Sequence, residues 1–187
     1  QDKSRLEELR QVLLRDDQTI KNLKNSDPKD LARSAKVTAS AVHQDAKPEA
    51  VINGLVRDLP GAWLNRWMAP MSPAGAWIEL SWDQPQKISH IQITFDTGFQ
   101  RQLALTSSDH QNAKIIREPQ PETVKDYRIT YTAPGKSEAA ELVRVRGNYQ
   151  RLNRHTFPAV EARSIRLHVE ATNGSDTARI FEIRCYG

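Results

Sequence analysis

His90-Ile91-Gln92-Ile93-Thr94-Phe95 sets Ile91, Ile93 and Phe95 against His90, Gln92 and Thr94. A period of two places the two sets on opposite sides of an extended backbone, one buried and one wet. Three further stretches repeat the pattern: Tyr127-Arg128-Ile129-Thr130-Tyr131, Ile165-Arg166-Leu167-His168-Val169 and Phe181-Glu182-Ile183-Arg184-Cys185. Asp83-Gln84-Pro85, Ala133-Pro134-Gly135 and Thr172-Asn173-Gly174-Ser175 supply turn residues between them. Several short amphipathic strands with no helical run between them predict a mainly β chain, an antiparallel sandwich spanning residues 37–187.

Upstream, residues 1–36 read as a helical extension. Leu6, Leu9, Leu13, Ile20 and Leu23 recur at helical spacings, with Glu7, Glu8, Arg10 and Arg15 between them. Ser26 or Asp27 is expected to cap a second short helix, with Pro28 in its first turn. The one-sided stripe needs cover. Either the sandwich supplies it or the extension is the tail of a preceding domain. The first residue is Gln1, so the chain is expected to be an excised or processed piece of a longer protein.

Composition narrows the function. In 187 residues there are 27 Lys and Arg against 23 Asp and Glu, a net charge of +4, with mean hydropathy -0.66. No apolar run reaches the ~18 residues of a membrane span. The mild basicity, without a nucleic-acid motif, argues against a nucleic-acid partner. One cysteine, Cys185, excludes an intrachain disulfide and a multi-cysteine zinc site. It alternates with Phe181 and Ile183, which marks it as a small buried residue and not a nucleophile. No Gly-x-Gly-x-x-Gly occurs, so the chain is expected to bind no flavin of its own. His43, His90, His110, His155 and His168 are scattered and form no catalytic motif, and no catalytic residue is assigned.

Asn53 to Gly75 departs from the strand pattern, with Trp63, Trp67 and Met68 among three prolines and three glycines. Long loops bearing aromatics are where a sandwich commonly binds its ligand. Trp67 and Trp77 read as packing residues. Trp63 lies outside any strand pattern, so it is either a platform for an apolar sugar face or a plug for one end of the sandwich. From Leu142 to Val160 there are five basic side chains, Arg144, Arg146, Arg151, Arg154 and His155, and no acid. This is either a solvated basic face or a surface for an anionic partner. Within it, Arg151, Asn153 and His155 offer planar donors able to bind sugar hydroxyls or carboxylates.

Ala50-Val51-Ile52-Asn53-Gly54, Asn65-Arg66-Trp67-Met68-Ala69, Ala76-Trp77-Ile78-Glu79-Leu80 and Ile88-Ser89-His90-Ile91, closing on Ala178-Arg179-Ile180-Phe181-Glu182-Ile183 and Tyr186-Gly187, resemble a discoidin-like domain. This is the coagulation-factor C-type family within the galactose-binding-like jelly rolls. The resemblance implies a jelly-roll fold, and with it the loop and basic-stretch residues Trp63, Arg66, Asn148, Arg151, Asn153 and His155 become the candidate ligand site, a glycan being the expected ligand. It also implies a structural calcium near Asn53, Asp58 and Glu182, although Asn53 replaces the family's Asp and carries one charge fewer. Leu9-Arg10-Gln11 through Leu14-Arg15-Asp16-Asp17-Gln18, with Asn148-Tyr149-Gln150-Arg151, His155 and Phe157, is similar to the C-terminal region of bacterial FAD-dependent oxidoreductases. That narrower resemblance implies an exported parent whose FAD-binding half lies upstream. The function expected is a non-catalytic accessory domain that binds carbohydrate. The alternatives are a domain that only packs on its parent enzyme and, third, an independent hydrolase.

Overall fold

A computed structural model describes residues 3–9, 23–59, 63–99, 101 and 104–187. Seven antiparallel strands occur among them: β1 (Lys36–Ala39), β2 (Trp67–Pro70), β3 (Ala76–Phe95), β4 (Val124–Thr132), β5 (Ala139–Val145), β6 (Leu152–Thr172) and β7 (Thr177–Tyr186). β3 and β6 are long and pass through both layers. The first half of β3 pairs with β1 and with the second half of β6, which continues to β4 and β5. The second half of β3 pairs with the first half of β6 and with β7, which carries β2 at the edge. The turnover falls where register breaks between Ser81 and Gln86, the kind of irregularity that bends a strand.

The predicted alternations of β3, β4 and β6 bury one face, and that of β7 does so from Ile183 onward. Ile91, Ile93, Phe95, Tyr127, Ile129, Ile165, Leu167, Val169, Ile183 and Cys185 are all buried in one core cluster. Trp67 is fully buried, and its indole Nε1 donates to the Ala41 carbonyl at 3.0 Å. Trp77 departs from expectation. Ile78, Leu80 and Trp82 share the core face, so Trp77 stands on the outer face beneath the Arg166 guanidinium, 4.2 Å from its ring centroid.

The extension is helical at residues 3–9 as predicted, and departs from its predicted form in the second helix. Leu6 is 65% and Leu9 52% exposed. Leu13 and Ile20 of the predicted stripe lie outside the described residues. The second short helix is a 3-10 turn, Leu31–Ser34, capped by Asp30 and not by Ser26 or Asp27. Asp30 wins because its Oδ1 accepts from both Ala32 N and Cys185 N, each at 3.1 Å, tying the turn to the last strand. Trp82 Nε1 fastens the same turn through the Leu31 carbonyl at 2.9 Å. A second 3-10 turn, Pro48–Ile52, leads into the Trp-bearing loops. No helix among the described residues is long and apolar enough to cross a membrane.

Candidate functional site

One end of the sandwich gathers the chain around β2, β3 and β7. Asp96 follows β3 directly, and Asp96 Oδ1 accepts from Gly98 N at 2.9 Å, which closes a tight turn and presents Phe99 beyond it. Arg66 precedes β2. Its guanidinium donates to Asp58, whose other oxygen accepts from Asn65 N at 2.9 Å. Arg57, Asp58, Trp63, Arg66, Asp96, Phe99 and Phe181 thereby line a cleft of about 400 Å³. Trp63 is 70% and Phe99 53% exposed, so two aromatic rings reach into solvent. Trp63 also lines an adjoining cleft of about 450 Å³ with Asp45, Lys47, Glu49, Ala50, Asn53 and Leu64.

The first cleft has a polar floor. Asp96 is 1% exposed, and Asp96 Oδ2 has no hydrogen-bond partner among the described residues. Arg66 Nε, 3.5 Å away, and Arg179, 3.9 Å away, pair with Oδ2 as ions, but the buried Arg66 Nε likewise makes no hydrogen bond. A buried acceptor and a buried donor left unbonded are costly unless something else supplies their bonds. Phe181 is flanked by two cations. Arg66 lies 5.3 Å and Arg151 5.0 Å from its ring centroid, and Arg151 also stacks 4.2 Å from Phe99.

Of the glycan residues read from sequence, Trp63 and Arg66 line the cleft. The other four do structural work nearby. Arg151 donates to the Phe95 carbonyl at 3.0 Å and to the Val56 carbonyl, and burial lowers its pKa. Buried Asn148 bridges the Val124 and Gln150 carbonyls at 2.7 and 3.2 Å. Asn153 Nδ2 donates to the Gln150 carbonyl at 3.1 Å. His155 Nε2 is 2.9 Å from the Tyr127 hydroxyl, and burial, aided by His90, lowers its pKa. Donors already given to the protein are not offered to a ligand. Asp96, Phe99 and Phe181 escaped the sequence reading. The signal for the first two was Asp96-Thr97-Gly98-Phe99, an Asp-Gly turn with an aromatic straight after a strand.

The basic stretch is neutralised across the sheet. Arg144 pairs with Glu141 and Glu170, Arg146 with Glu170 at 2.6 Å and Asp126 at 3.5 Å, and Arg128 with Glu170 at 3.2 Å. The acids come from β4, β5 and β6, so the face is a solvated ion-pair lattice and not a cationic patch.

The three residues expected to hold calcium have other partners. Asn53 Oδ1 accepts from Leu55 N at 2.7 Å, and its Nδ2 donates to Asn65 Oδ1 at 3.0 Å. Asp58 is engaged by Arg66 and Asn65. Glu182 is 1% exposed, its Oε2 accepts from Arg184 Nε at 2.7 Å, and only its Oε1 lacks a partner. Burial raises the Glu182 pKa. One free carboxylate oxygen is not the multi-oxygen shell that a hard cation requires. No group of three or more His, Cys, Asp or Glu among the described residues is placed to hold a metal ion. The residues present therefore do not fit calcium.

A family model described as "Domain of unknown function (DUF7402)" matches residues 30–102. No curated protein matches the chain. Among solved structures, the chain is similar to the family 32 carbohydrate-binding module from Streptococcus pneumoniae EndoD, with 15% identity, 84% of this chain and 98% of that chain covered, and a TM-score of 0.60. It is similar to a Streptococcus pneumoniae fucose binding module, with 13% identity, coverage of 87% and 97%, and a TM-score of 0.61. It is also similar to the family 32 module from Clostridium perfringens NanJ, solved in complex with galactose, with 15% identity, coverage of 83% and 96%, and a TM-score of 0.59. The chain thus has the discoidin or galactose-binding-like jelly-roll fold.

Proposed function

We propose that this chain is a non-catalytic accessory domain that binds carbohydrate in the cleft between Trp63 and Phe99. The observation that carries the reading is Asp96 Oδ2, buried and without a hydrogen bond on the floor of a cleft with exposed aromatic walls. A sugar presents both an apolar ring face and hydroxyls. The face suits Trp63, and a hydroxyl can donate to Asp96 while accepting from Arg66 Nε. Neighbours of the same fold include modules solved with galactose or described as fucose-binding, which supports the class of ligand.

A glycan array probed with the chain and with Asp96→Asn tests this. The chain should retain a defined set of neutral glycans, and Asp96→Asn should lose them while staying folded. No retained glycan would refute the proposal.

A second role follows from Leu6 and Leu9, exposed on the helical residues 3–9: contact with a further domain. The resemblance of Leu9 to Gln18 to bacterial FAD-dependent oxidoreductases supports such a parent, with FAD held there and the whole exported. Co-purification of the helix with an upstream flavoprotein domain would test it, and two pieces that never associate would refute it.

A further inference from the structure

We infer that the site takes a chain of sugars and not a single residue, with Trp63 as the shared wall between two sugar-sized clefts. The inference rests on the glycan reading above and extends it. Trp63 is 70% exposed and lines both the cleft of Arg66, Asp96 and Phe99 and the adjoining cleft of Asp45, Lys47, Glu49 and Leu64. Each volume, about 400 and 450 Å³, falls within the roughly 300–1,000 Å³ typical of a small-ligand site.

The two clefts offer different chemistry. In the first, Asp58 and Arg66 satisfy each other, and the free valences are the buried Asp96 Oδ2 and Arg66 Nε. In the second, Asp45, Lys47 and Glu49 are exposed, and their side chains make no hydrogen bond or ion pair with other described residues; the Lys47 carbonyl is engaged, accepting from Ala50 N at 3.1 Å. They can bond the hydroxyls of a sugar held next to the indole. Gln44 and Leu64, with φ of 53° and 60°, are the non-glycine residues at positive φ among those described. They bracket the second cleft, where such strained backbone commonly shapes a binding loop.

Isothermal titration of the full chain decides the matter. The probes are galactose and β-1,4-galactotetraose, and glucosamine and its β-1,4-linked tetramer. For the recognised sugar, the tetramer should bind at least tenfold more tightly than the monomer, beyond the roughly fourfold that repeated identical units give by statistics. Asp45→Asn with Glu49→Gln should bring the tetramer's affinity down to that statistical level. Equal affinity for monomer and tetramer would overturn this inference and leave the glycan reading standing. A full chain-length gain in the double variant would also overturn it. No binding of any probe, together with an empty glycan array, would instead refute the glycan reading itself.

Discussion

Trp63 and Trp67 lie four residues apart, and the same substitution should have opposite consequences at each. Trp67 is fully buried with its Nε1 hydrogen-bonded to Ala41. Truncating a buried indole to alanine costs about 3–5 kcal/mol, against a total stability of roughly 5–15 kcal/mol. For a domain of this size each kcal/mol moves Tm by about 2–4 °C, so Trp67→Ala should lower Tm by ~6–20 °C. Trp63 has under a third of its surface covered. Trp63→Ala should therefore cost less than about 1 kcal/mol of stability and under about 4 °C. Its cost in binding is larger. A sugar face covering about 100 Å² of indole is worth about 2.5 kcal/mol at 25 cal/mol/Å², so affinity should fall more than tenfold. Differential scanning fluorimetry on both variants, with titration of the retained glycan into Trp63→Ala, reads both quantities. If Trp63→Ala melts as low as Trp67→Ala, Trp63 is a structural plug and the cleft has lost its platform. If it melts normally and still binds at full strength, the sugar does not stack there.

Arg151→Ala should cost about 2–4 kcal/mol in urea denaturation, because it leaves the Phe95 and Val56 carbonyls without their charged donor. Arg151→Lys should not restore it, since an ammonium cannot bridge both carbonyls while stacked between Phe99 and Phe181. The His168 pKa is lowered to about 4, first by burial and then by Arg128 and Arg166, so the unfolded chain takes up the proton first as pH falls. Its contribution is present above the usual imidazole pKa of 6.5 and lost between there and about 4. The residue is only partly exposed, and with solvent screening about 1–2 kcal/mol is at stake. His168→Gln should narrow the Tm difference between pH 7 and pH 4.5 relative to the parent chain, and an unchanged difference would refute the assignment. Calcium chloride and EDTA should each move Tm by less than ~1 °C, because Asp58 and Glu182 are already paired with arginines; a calcium-dependent rise of several degrees would show that a cation displaces them.

The strands were legible because a period of two survives in the sequence wherever one face is buried. Errors arose where a neighbouring strand decides the outcome. Trp77 looked like core by its bulk, yet parity places it outside, and its cover is Arg166 from β6. The run from Leu142 to Val160 contains no acid along the chain, but Asp126 from the neighbouring β4 and Glu170 from β6 beyond it face Arg144 and Arg146. Arg151 and Asn148 were read as ligand donors, but nothing in sequence shows that backbone carbonyls consume their donors. Trp63 could be picked out because it belongs to one loop. The cleft could not, because its walls come from before β2, after β3 and within β7.

The β7 contribution shows why. Ile93 pairs with Ile183 and Thr94 with Glu182, but Phe95 pairs with Ile180, so β7 carries one extra residue at this point. Alternation read from the sequence assigns Phe181 and Ile183 to one face. The shift instead puts Ile180 and Ile183 in the core cluster and leaves Phe181 and Glu182 outside it. Both are nonetheless buried. Phe181 forms the cleft floor between Arg66 and Arg151, and Glu182 meets Arg184. An inserted residue that re-aims a side chain is a common device beside binding sites. Here it delivers an aromatic ring to the one place where Arg66 and Arg151 hold the loops after β3 and before β2. The core and the cleft are therefore set by the same bulge. A change that restored regular pairing at Phe95 would return Phe181 to the core face and remove the floor on which Asp96 and Arg66 are presented.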